Sequence, residues 1–371
     1  MSDFVGGLEG VIAVETDVSE VDAAGGMLRY RGVAVSDLVG RVTYGHVWSL
    51  LVDDEFNPAL PPAEPFPLPV RTGDIRVDVQ SALAQLAPVW GFRPLIDIDD
   101  ARAREDLARA SVLALSYVAQ AARGSDEPRV SQREIDRAPT TAHRFLTRWR
   151  GEPDPRHVEA IDTYWVCTAE HGTDASALTA RVVASTGADV AACLSAAVAA
   201  SSGPLHGGAQ ARVLHLIEAV EKTGDPHGQV TTVLDRGRRL MGFGHRVYRS
   251  EDPRAAILRE TARRLHAPRF EVAAALEQAA LSELTDRYPD RALGTNVDFW
   301  AAVVLDFAQV PSRLFTPLLV CARTAGWAAH VLEQKRHGRL LRPAARYTGV
   351  SHRRPEDVAG WDLALARGQV R

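Results

Sequence analysis

From residue 156 to Gly338 the chain reads as one helix after another, each cut off by glycine or proline. HVEAIDTYWVCTAEH runs up to Gly172. ALTARVVAST follows, with Ser176 as a candidate cap. Gly187-Ala188-Asp189 turns into VAACLSAAVAASS, which Gly203-Pro204 stops. GGAQARVLHLIEAVEKTG, GQVTTVLDRGRRL, FEVAAALEQAALSEL and NVDFWAAVVLDFAQV continue the series. SRLFTPLLVCARTAGWAAHVLEQKRHG closes it at Gly338. A chain patterned this way buries helix against helix.

The first part is more varied. Residues 4–35 carry β-branched residues and a Gly-Gly turn before MLRYRGV, which predicts a small hairpin-like lid. HVWSLLV reads as a short helix, and FNPALPPAEPFPLP, rich in proline, as a loop. Residues 74–122 return to helical spacing, with Leu107, Ala110, Leu113 and Leu115 on a buried face. Residues 132–149 are expected to be helical, GEPDP is a break, and the tail from RLLRPAARYTG onward reads as irregular. The predicted fold class is all-α with few strands, all early.

The chain has 371 residues, which favours two domains over one core. A net charge of −4 gives no general attraction to nucleic acid or anionic membrane. Cys167, Cys193 and Cys321 form no disulfide framework and no zinc-type pair, which fits a reducing, cytoplasmic setting. MSDFVGGLEG has no basic region followed by an apolar run, so no secretory signal is read there. The most apolar stretch contains Arg323 and His330, which argues against a membrane span.

Chemistry concentrates in MGFGHRVYRSEDPR. Gly242 and Gly244 bracket Phe243, so the backbone is able to take positive φ and to let a ligand approach. His245 follows. Asp252-Pro253 reads as an N-cap and first helical proline, which puts Arg254 in a first turn. There it serves an anion or is neutralised at the surface by Glu251 or Asp252. GFGHRV lacks the third glycine of a dinucleotide fingerprint, which Val247 replaces. His171, before Gly172, is a candidate site residue or a simple partner for a helix C-terminus. His206 lies between Gly-Pro and Gly-Gly; before a helix N-terminus an imidazole stays neutral and donates well to a developing oxyanion, whereas in a surface loop it does nothing. Asp298 follows a cap at Thr295 or Asn296, in a first turn where the helix dipole by itself accounts for an aspartate. Arg323, amid apolar neighbours, needs either an ion-pair partner or a ligand. Arg342 sits in a tail where arginine is normally solvated. Together these are proton donors, one carboxylate base and arginines suited to a small polyanion.

At these residues the chain resembles the citrate synthase family. AEHGTDASALTARVVASTGADVAACLSAAVAASSGPLHGGA, MGFGHRVYRSEDPRA, NVDFWAAVVLDFAQVPSRLFTPLLVCARTAGW and RPAARYTG fit its motifs in order, over about residues 160–350. Residues 55–155 match less well. The resemblance is to the shorter bacterial type with AEHG, and it implies a helical homodimer. Residues 1–207 and 310–371 would form a large domain and 208–309 a small one that closes over the site. The substrates implied are oxaloacetate and acetyl-CoA, with no metal or redox cofactor. His206, His245 and Asp298 match the catalytic residues. His171, His245, Arg254, Arg323 and a partner subunit's Arg342 match oxaloacetate ligands. Met241, Gly242, Phe243, Gly244, Arg246 and Arg249 match the CoA contacts.

Two departures stand out. Asp174 replaces a frequent asparagine, so it is expected to raise the His171 pKa or weaken binding of a nearby anion. Thr168 stands where the longer family form has a histidine. The alternatives are a 2-methylcitrate synthase using propionyl-CoA and a catalytically silent helical dimer.

Overall fold

The computed structural model describes residues 4–8, 10–22, 26–57, 59–203, 207–249, 251–291 and 293–368. Among them are seventeen α-helices and one three-stranded sheet. The chain divides into two units. Thr16–Leu340 is the larger, and residues 1–15 with 341–371 form the smaller. In the smaller unit the tail is irregular only in part, because Trp361–Gly368 is helical.

The larger unit is arranged around the Phe315–His337 helix. Nineteen of its 23 residues are buried, from Phe315 to Gln334. Such a helix has no solvent face, so its polar residues Arg323, His330, Glu333 and Gln334 must find partners inside. Against it pack the helices Tyr44–Asp53, Asp100–Arg123, Pro155–Thr168 and Ala175–Ser185. Leu107, Ala110, Leu113 and Leu115 are all buried, as their spacing predicts. Gly326 allows the closest approach: a Cβ there would lie 2.0 Å from Glu170 Oε2 and 2.8 Å from Ala169 O.

Some boundaries differ from the sequence reading. Residues 132–149 break into Gln132–Arg137 and Thr141–Arg150, because Pro139 cannot continue the ladder. The cap of the Ala175–Ser185 helix is Asp174, whose carboxylate accepts from the Ser176 and Ala177 amides, and Ser176 lies inside the helix. Among the described residues of 4–35, strand structure is confined to β1 (Ser19–Asp22), β2 (Met27–Tyr30) and β3 (Val33–Ala34), with Ser19 opposite Tyr30. Buried Tyr30 extends its hydroxyl to the carbonyls of Val166, Cys167 and Glu170, 3.1, 3.3 and 3.2 Å away. The sheet thus holds the end of the Pro155–Thr168 helix and the connection after it. Among the described residues no helix is long and apolar enough to cross a membrane.

Candidate active site

Three connections meet in the larger unit: Ala169–Asp174, Met241–Asp252 and Gly294–Asn296. The last two are joined along their backbones. Phe243 forms an antiparallel bridge with Thr295. Gly244 N donates to Gly294 O at 2.7 Å, Asn296 N to Gly242 O at 2.9 Å, and Asp252 N to Thr295 O at 3.0 Å. Asn296 adds a side-chain strap: Nδ2 donates to Gly244 O at 2.9 Å, while Oδ1 accepts from Asp298 N at 3.0 Å and caps the Val297–Phe307 helix. The loop of His245 and the first turn holding Asp298 are therefore one construction.

Gly242 has φ +90°, and a Cβ there would meet Phe299 at 3.0 Å and Val213 at 3.1 Å. Its lack of a side chain serves packing on Phe299. Met241 is half-buried, Gly242, Phe243 and Gly244 are buried, and Arg246 and Arg249 are exposed.

His245 accepts two backbone hydrogen bonds on Nδ1, from Val247 N at 3.0 Å and Tyr248 N at 3.2 Å. An accepting Nδ1 carries no proton, so the neutral ring has its N–H at Nε2. Burial, aided by the Arg254 charge and opposed by Asp252, lowers its pKa to about 4. The His171 ring lies 5.1 Å from His245, and its Nε2 is 3.3 Å from the Tyr248 hydroxyl. Burial, then Arg254, Arg323 and His245, hold His171 well below the usual histidine range; Asp174 pulls the other way and is the weakest of these influences. Asp174 thus raises the His171 pKa as expected, but desolvation and the cationic neighbours outweigh this one carboxylate and set the net direction downward. The Tyr248 hydroxyl is pushed up to about 12 by burial.

The two buried arginines near these histidines are paired. Arg254 is no surface arginine: it is 2% exposed and bidentate on Asp252, Nε to Oδ1 at 2.9 Å and Nη2 to Oδ2 at 2.7 Å. Burial alone would raise the Asp252 pKa, but Arg254 outweighs it and the carboxyl stays below its ordinary value. Glu251, the other candidate partner, bonds Arg259. Arg323 is 6% exposed and its Nη1 bonds Asp174 Oδ2. Its buried Nε has no partner among the described residues. Asp298 shares this environment: buried Tyr164 feels the charges of both Asp298 and Arg323. His171, His245, Arg254, Arg323 and Asp298 are thereby brought into one region.

A profile of the citrate synthase C-terminal domain matches residues 7–344. The chain belongs to the citrate synthase family. It is 64% identical to "Putative citrate synthase 2" of Mycobacterium tuberculosis over 98% of each chain. It is 33% identical to the 2-methylcitrate synthase of Shewanella oneidensis, covering 95% of this chain and 97% of that one. Its fold matches the citrate synthase of Thermoplasma acidophilum with a TM-score of 0.80 at 24% identity, over 95% of this chain and 98% of the other. The chain is accordingly an enzyme of the citrate synthase type, a condensing acyltransferase, with the all-α fold of that family.

His206 lies outside the described residues. Arg342 belongs to the smaller unit and is exposed. Sequence reasoning missed Tyr248, Asn296 as a strap, and a buried network behind His171. In that network Glu170 Oε1 takes bonds from Ser19 Oγ (3.1 Å) and His330 Nε2 (3.0 Å), and Arg181 Nε donates to His330 Nδ1 at 2.9 Å. Arg181 also bonds Glu333 and, at 3.2 Å, Gln334. The signal was present: Arg181 stands in ALTARVVAS as Arg323 stands in VCARTAG, a cation among apolar residues. Among the described residues no cluster of three or more His, Cys, Asp or Glu is placed to hold a metal ion.

Proposed function

We propose that this enzyme condenses oxaloacetate with acetyl-CoA and hydrolyses the citryl thioester to citrate and CoA. The observation that carries the reading is the fixed tautomer of His245, a neutral imidazole with its N–H at Nε2, in one region with two buried arginines. In this reading Asp298 takes a methyl proton from the thioester while His206 donates to the enolate oxygen, since a weakly acidic carbon loses its proton only where the oxyanion is held. The enolate carbon attacks the keto carbon of oxaloacetate, and the keto oxygen takes the Nε2 proton of His245. Water then cleaves the thioester and CoA leaves as the thiol. His171, Arg254, Arg323 and a second subunit's Arg342 hold the two carboxylates. Met241–Gly244, Arg246 and Arg249 receive CoA. Closure of residues 208–309 on the rest excludes water until the carbon–carbon bond exists. The working unit in this reading is a cytoplasmic homodimer without metal or redox cofactor.

A second reading takes propionyl-CoA instead and makes 2-methylcitrate, supported by the 33% identity to an enzyme of that name. One methylene is worth only ~1–3 kcal/mol of discrimination. Thiol release measured with oxaloacetate against each thioester separates the two by their ratio of kcat/KM. Asp298→Ala is expected to abolish that release and to leave oxaloacetate binding within a few-fold. Full turnover by the variant would overturn the base assignment, and no turnover of either thioester by the parent enzyme would favour the silent dimer.

A further inference from the structure

Asp174 occupies an unusual position between two jobs. Its Oδ1 caps the Ala175–Ser185 helix, taking the Ser176 amide at 2.8 Å, the Ala177 amide at 3.0 Å and the Ser176 hydroxyl at 2.6 Å. Its Oδ2 bonds Arg323 Nη1. A carboxylate held by three donors on one oxygen does not swing away without uncapping a helix. Arg323 therefore meets any ligand with one nitrogen already engaged, while its buried Nε has no partner among the described residues. A buried N–H left unpaired is costly, so that edge is where an incoming carboxylate gains most. The same edge lies within a few ångströms of the Asp174 charge, and like charges repel strongly where water is scarce. Arg254 is matched in the same way by Asp252. Two arginines and two fixed aspartates thus sum to no net charge.

We propose that Asp174 is a built-in counter-anion for Arg323 that competes with the substrate carboxylate and sets a low affinity for the keto diacid. The inference rests on the proposed function, in which oxaloacetate is that diacid. Lower affinity costs nothing when substrate is plentiful, because binding the ground state less tightly leaves more of the interaction for the transition state.

The test is a calorimetric titration of oxaloacetate alone, without thioester, into the parent enzyme and Asp174→Asn. Asparagine keeps an Oδ1 acceptor and is among the best N-caps, so the helix start survives. Asp174→Ser, also a good cap without charge, serves as the second variant, and thermal unfolding reports whether each is folded. Both are expected to bind oxaloacetate ~10-fold more tightly, as removal of a nearby like charge requires. Equal or weaker binding by both folded variants overturns the proposal. Tighter binding with no CoA release from either thioester would uphold the counter-anion and overturn the catalytic reading; no binding by any variant would overturn both.

Discussion

The strap made by Asn296 allows a quantitative test of how this site is assembled. Its side chain does two things: Oδ1 caps the Val297–Phe307 helix through Asp298 N, and Nδ2 ties the Gly244 carbonyl. Asn296→Ala removes both. Loss of an N-cap costs ~1 kcal/mol. The lost bond to Gly244, whose carbonyl then needs a new partner in a buried loop, adds ~1–2 kcal/mol. The sum of ~2–3 kcal/mol corresponds to a fall in Tm of ~3–5 °C for a unit of this size. The catalytic effect is expected to exceed the stability effect, because the strap aligns the His245 loop with the turn of Asp298. A misplacement of about 1 Å between reacting groups costs up to ~100-fold in rate, so thiol release should fall ~10–100-fold. Asn296→Ser separates the two jobs: serine caps, but is too short to reach Gly244. It should recover about half of the stability and little of the turnover. Assays are thermal unfolding and steady-state CoA release at saturating oxaloacetate. Asn296→Ser turning over at the parental rate would refute the reasoning.

Three further outcomes follow from burial and charge. Asp162, beside the Tyr44 amide at 3.1 Å, has its pKa raised by burial from 3.8 to about 7. Its folded form binds the extra proton between those values, so stability is lost as pH rises through them; Asp162→Asn should add ~1–3 kcal/mol at pH 8 and almost nothing at pH 3, read from urea midpoints. His245 has the opposite sign: its pKa falls from 6.5 unfolded to about 4 folded, so its contribution is present above 6.5 and lost as pH falls toward 4. The acid limb of kcat/KM assigned to this ring should accordingly centre near pH 4, and a limb at 6.5 that disappears in His245→Asn would contradict it. Gly242→Ala forces a side chain onto φ +90° and against Phe299 at 3.0 Å, with an expected loss of ~2–3 kcal/mol in denaturant unfolding.

Much of this protein was legible in its sequence, because helices and their ends are local. Apolar spacing, the Gly338 stop and the Asp252-Pro253 start each depend on residues within a turn or two of one another, and all three are where the spacing puts them. Pro139 shows the same rule from the other side: a single local residue separates the Gln132–Arg137 and Thr141–Arg150 helices. The motifs also led to the family, since their order along the chain is itself a one-dimensional property. Partner choice is not. Asp252 is a neighbour of Arg254 that the sequence already offered, but that Arg323 answers to Asp174 depends on which chain segments meet, since this pair spans 149 positions. The protonation state of His245 is likewise a tertiary fact. Two nearby amides choose its tautomer, but burial beside Arg254 lowers its pKa, and burial exists only once the loop is sewn to Gly294–Asn296. Charge and solvation act through space, so the sequence named the groups and the packing decided what each of them is able to do.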